Sequence, residues 1–81
     1  SNERISKIDG QTQQFAVEEA TGIVDNALAG GGRWTKEEVM KLRELSGVIG
    51  HSEEYREILK KIVVAINRDE LIPEDPEFVL P

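Results

Sequence analysis

The sequence predicts an all-α fold: a small three-helix domain followed by an extended acidic, proline-containing C-terminal tail. Three observations carry that expectation. Apolar residues recur at three- and four-residue spacing in three separate stretches, the mark of helices that each bury one face. Glycines and helix-capping residues stand between those stretches. Residues 69–81 hold all three prolines, five acids and no base, a composition that argues against a fourth helix.

Residues 1–11 are expected to form an N-terminal arm. Ile5 and Ile8 are its only apolar groups before Asp9-Gly10, so it is either a short turn of helix against the bundle or a loose segment. The first helix is expected near residues 12–29. There Ala16, Val17, Ala20, Ile23, Val24, Ala27 and Leu28 share one face at about 100° per residue. Its alanines let a neighbouring helix come close. Gly30-Gly31-Gly32 then supplies residues free to take φ > 0 and end the helix. The triplet is not a phosphate cradle, because no strand precedes it and no Lys-Ser or Lys-Thr follows.

The second helix, near residues 35–47 with an end between Ser46 and Gly50, carries the most specific local signal. Thr35 and Glu38 have the spacing of a capping box, and Trp34 before the cap can pack on Val39 as a hydrophobic staple. Trp34→Ala should cost about 1–3 kcal/mol, because it removes that staple together with a large apolar contact. Val39, Leu42, Leu45 and Ile49 make the apolar stripe. Ser52 can cap a third helix, near residues 53–68, with Glu53 and Glu54 at the positive end of its dipole. Tyr55, Ile58, Leu59, Ile62, Val63 and Ile66 give it the best periodicity in the chain, so it is expected to be the central helix. Glu57 and Lys61, four apart, are expected to pair on its solvated side. The domain proper is thus residues 12–68 and the tail residues 69–81.

Composition narrows the function. With 10 basic and 16 acidic side chains the net charge is −6, and five of the acids lie in the tail, so the body is nearly neutral. Non-specific affinity for nucleic acid comes mostly from Lys and Arg, and none is expected here. No apolar run approaches the roughly 20 residues of a membrane span, so no membrane association and a cytoplasmic location are expected. There is no cysteine and one histidine, His51, which removes thiolate chemistry and most histidine-built metal sites. His51 falls in a loop without a nucleophile elbow. The acidic pairs Glu18-Glu19, Glu37-Glu38 and Glu53-Glu54 diverge around their helices, and two of them open helices, where the dipole explains them. Neither catalysis nor a cofactor is expected.

The run Gly32-Arg33-Trp34-Thr35-Lys36-Glu37-Glu38, followed by Leu42, Leu45, Gly50, Tyr55 and Ile58, resembles the opening of a Myb or SANT repeat over residues 32–62. The resemblance implies two of that family's three helices and, as an alternative function, a nucleic-acid or chromatin-type binding module. The helix that makes base contacts in the DNA-binding members has no counterpart, and Arg56, Lys60, Lys61 and Arg68 project from different sides of their helix. The stretch is read as helix-start chemistry that any stapled capping box shares. A further alternative is an acidic inhibitor that imitates nucleic acid, which requires acids arrayed on a folded surface.

Apolar groups outside the stripes are the better guide. Phe15, Met40 and Val64 project away from their helices' apolar faces, and Phe78, Val79 and Leu80 form an anchor in the tail. These six are the expected partner-binding residues. A small core gains from burial in an interface, and a proline-stiffened apolar segment can dock in a groove of its own bundle, a sister chain or another protein. The expectation is a non-catalytic interaction protein (regulator, adaptor or assembly factor) that forms homo-oligomers and binds a protein partner. Deleting residues 74–81 should then weaken association or loosen the bundle.

Overall fold

The computed structural model describes residues 2–81, with side chains described from residue 10 onward. The packing expected for Ile5 and Ile8 lies outside the described residues. The chain forms α1 (Asn2–Ala29), β1 (Arg33–Trp34), α2 (Lys36–Ile49), α3 (Glu53–Asn67) and β2 (Ile72–Pro73), a three-helix all-α domain joined by one two-residue strand pair.

Helix α1 begins at Asn2, well ahead of the start expected at residue 12. Its 28 residues span about 42 Å at the α-helical rise and set the 47 Å long dimension of the molecule, which is 19 Å across in both other directions. Helix α2 runs antiparallel to it. The Gln13 side-chain amide donates to the Ile49 carbonyl at 2.5 Å, which fixes the C-terminus of α2 beside Gln13 and leaves the earlier residues of α1 extending past it.

The core follows the apolar stripes. Ala16, Ala20, Val24 and Ala27 of α1 meet Val39, Leu42, Leu45 and Ile49 of α2 and Ile58, Ile62 and Ala65 of α3. Three expectations about α3 are corrected. It is not the central helix: α2 and α3 both pack chiefly on α1, whose alanines permit close approach. Its buried line runs through Ala65, leaving Val63 exposed. Lys61, moreover, pairs with Asp25 of α1 and not with Glu57, because the α1 carboxylate lies across the helix interface.

The helix starts are built as their residues dictate. The Glu38 amide donates to Thr35 Oγ1 at 3.2 Å and the Thr35 amide to Glu38 Oε1 at 2.8 Å, closing the capping box. Gly50, at φ 72°, ends α2, and the Tyr55 amide donates to Ser52 Oγ at the start of α3.

Residues 69–81 return to the bundle and are not a separate segment. The cause is a pair of matched helix ends. After α1, Gly31 takes positive φ and the Gly32 amide donates back to the Ala27 carbonyl at 2.8 Å. After α3, Asp69 takes φ 58° and the Glu70 amide donates to the Ala65 carbonyl, also at 2.8 Å. Both use the six-to-one closing bond of a Schellman turn. Helices α1 and α3 are parallel and finish at the same end, so the chain leaves them side by side. Arg33 then pairs with Ile72 and Trp34 with Pro73 in a parallel ladder. The approach is so close that a Cβ on Gly32 would stand 2.2 Å from the Glu70 carbonyl oxygen. This turn delivers Leu71 and Trp34 into the core, both fully buried.

Candidate interaction surface

Two surfaces hold four of the six residues expected to bind a partner. The first is the α2 flank over which the tail passes. The Trp34 indole N–H donates to the Val79 carbonyl at 2.7 Å, satisfying the one polar atom of a buried ring. Lys36 and Arg43 stand seven residues apart, on one side of α2. Lys36 Nζ lies 4.9 Å and the Arg43 guanidinium carbon 4.8 Å from the centre of the Phe78 ring, a double cation–π contact. Arg43 also makes a long bond to the Leu80 carbonyl, 3.4 Å. Arg33 pairs with Glu74 at 2.7 Å. Phe78 packs against the core, Val79 is half-buried and Leu80 is exposed. The anchor expected in the tail therefore sits on its own bundle.

The second surface is a groove of about 700 Å³ between α1 and α3. Val17, Thr21 and Leu28 form its α1 wall, and Ile58, Val64 and Ala65 its α3 wall. Val17, Thr21, Val24 and Leu28 recur at i, i+4, i+7 and i+11, along the edge of the α1 stripe; Val24 is buried, and Val17, Thr21 and Leu28 each show part of their side chain where α3 does not reach. The rim is charged: Glu53, Glu54 and Glu57 toward the start of α3, Lys60, Lys61 and Arg68 toward its end, with Glu70 just beyond. Among the described residues no segment of the chain is seated in this groove.

The six expected residues thus fall in different places. Val64 lies in the groove, Phe78, Val79 and Leu80 lie together on the α2 flank, and Phe15 (69% exposed) and Met40 (50% exposed) stand on the outer sides of α1 and α2. Val17 and Leu28 are not among the expected site residues, since they read as core positions, and Thr21, a polar residue outside the apolar stripe, gives no signal of its own. The one signal of Val17 and Leu28 is that the α1 stripe is wider than a single neighbour can cover. His51 is exposed in the bend between α2 and α3. Among the described residues no three His, Asp or Glu side chains are grouped to hold a metal ion, and no helix is long and apolar enough to cross a membrane.

Compared with known proteins, the chain matches no protein family, no curated protein and no solved structure. The resemblance of residues 32–62 to a Myb or SANT repeat thus gains no support from relatives. The chain beyond α3 reverses into β2 and supplies no further helix.

Proposed function

We propose that this protein is a non-catalytic interaction module, a regulator, adaptor or assembly factor, and that the α1–α3 groove is the surface through which it binds. The observation that carries the reading is the contrast in covering. The α2 flank is occupied by the tail, whereas the groove presents apolar walls within a charged rim, the anatomy of a protein-binding surface. An amphipathic helix is the element that fits such a channel, its apolar face inward and its polar side at the rim. The near-neutral body and acidic tail favour protein over nucleic acid as the partner.

Site-specific photo-crosslinking tests the proposal. A benzophenone side chain at position 64, in the groove, is expected to give protein adducts in the purified protein or in cell extract. Excess unlabelled domain should compete them away, and the same group at the exposed position 37 should not give them. Equal yields at both positions, or none at 64, would rule the groove out as the binding surface.

A further inference from the structure

We infer that the α2 flank is a receptor for a segment of another protein, an acidic turn of the Asp-Pro-x-Phe kind, and that residues 74–81 occupy it in the free chain as a built-in competitor. The inference concerns a second surface and does not depend on the groove. Its first support is how the tail is held. None of residues 72–81 is buried, and among the described residues the last backbone bond from the tail to the body runs from the Glu74 amide to the Trp34 carbonyl, 2.9 Å. Past that point side chains of the body hold the main chain, Trp34 at the Val79 carbonyl and Arg43 at the Leu80 carbonyl. These are the contacts of a docked peptide. A segment fastened by exposed groups opens locally at less than the cost of global unfolding.

The second support is that the tail makes its own shape. Asp75 Oδ1 accepts from the Glu77 amide and the Asp75 carbonyl from the Phe78 amide, both at 3.0 Å. This Asx turn over Pro76 sets Phe78 against Lys36 and Arg43. Residues 75–78 contain the whole turn, so the same residues in another chain form it too. The receptor side is equally preformed, since β1 places Trp34 and the capped α2 places Lys36 and Arg43. The third support is charge left over. Lys36 and Arg43 face the Phe78 ring, but neither pairs with a carboxylate among the described residues, and the tail past Phe78 contains no acid. A foreign segment with an acid just past its phenylalanine supplies that carboxylate and gains what the tail lacks. A second copy offers only the same tail, already engaged on its own flank, so exchange between copies makes no new contact.

Fluorescence anisotropy with fluorescein-labelled octapeptides tests the inference on the full chain. The probes have the sequence of residues 74–81, unchanged, with glutamate in place of the leucine, or with alanine in place of the phenylalanine. Phe78→Ala in the protein loosens the built-in competitor. This variant should bind the unchanged probe at least about tenfold more tightly than the unsubstituted chain does, because an occupied site reduces apparent affinity by the fraction that is open. It should bind the glutamate probe about threefold more tightly still, and the alanine probe not at all. Adding Lys36→Ala and Arg43→Ala to Phe78→Ala should weaken binding at least about tenfold. Should Phe78→Ala fail to fold by circular dichroism, Glu74→Lys, at an exposed ion pair, replaces it with the same order of affinities. An equimolar addition of unsubstituted chain should leave the probe in place. A loosened chain that binds no probe, or binds no better than the unsubstituted chain, overturns the inference. So does binding indifferent to the probe's phenylalanine or to Lys36 and Arg43. A glutamate probe no tighter than the unchanged one, or displacement by the unsubstituted chain, overturns the assignment to another protein's segment.

Discussion

The α2 flank and the α1–α3 groove are built from similar material, apolar helix edges bordered by charge, yet the chain treats them differently. On the α2 flank the tail supplies a partner for nearly everything it meets. Val79 takes the Trp34 indole, Phe78 lies under Lys36 and Arg43, and Glu74 takes Arg33. In the groove Glu54, Glu57, Lys60 and Arg68 have no such partner and Val64 is 37% exposed. An amphipathic edge closed from within contributes to folding, whereas one left open can contribute only to association. Substitutions on the first should therefore be read in stability and those on the second in binding.

The largest effect belongs to the closed flank. Trp34→Ala should cost about 3–5 kcal/mol by denaturant unfolding, more than a staple alone, because the ring is fully buried and anchors the tail as well. A loss below about 1 kcal/mol would return it to a capping role. Deleting residues 74–81 comes next, at about 2–4 kcal/mol, since it exposes the surface under Phe78 and leaves a buried indole N–H without its acceptor. Gly32→Ala should cost about 1–3 kcal/mol, because the added Cβ meets the Glu70 carbonyl and the backbone is in the left-handed region. The smallest effect is on the open groove. Val64→Ser, measured dilute enough for the monomer, should change stability by no more than about 0.5 kcal/mol. A larger loss there would mean that the groove wall is part of the core.

The features legible in the sequence are those set by neighbours a few residues apart. The capping box of Thr35 and Glu38, the Ser52 cap and the stripe Val39, Leu42, Leu45, Ile49 are all local, and each lies where its spacing places it. What could not be read depends on distant partners. Leu71 looks like one apolar residue in an acidic tail, and its burial follows only from the two matched helix ends that set β2 beside β1. The acceptor for Trp34 lies 45 residues away. Asp69 gave no warning of its turn, since a left-handed C-terminal position is usually glycine. The groove was legible through Val64 alone. Val17 and Leu28 carry the same spacing as the core, and only the angle at which α3 meets α1 decides how much of them stays uncovered.

A dilution series followed by two-dimensional amide NMR tests most directly whether the tail closes one flank and the groove serves the other for association. On raising the concentration, the amide resonances of Thr21, Leu28, Glu57 and Val64 should shift or broaden together. The Trp34 indole resonance, held by the Val79 carbonyl, and the amides of the residues other than proline in 71–80 should stay in place. Shifts of the indole and tail with the groove unmoved would show that the tail is the associating surface, and would contradict the assignment of both flanks.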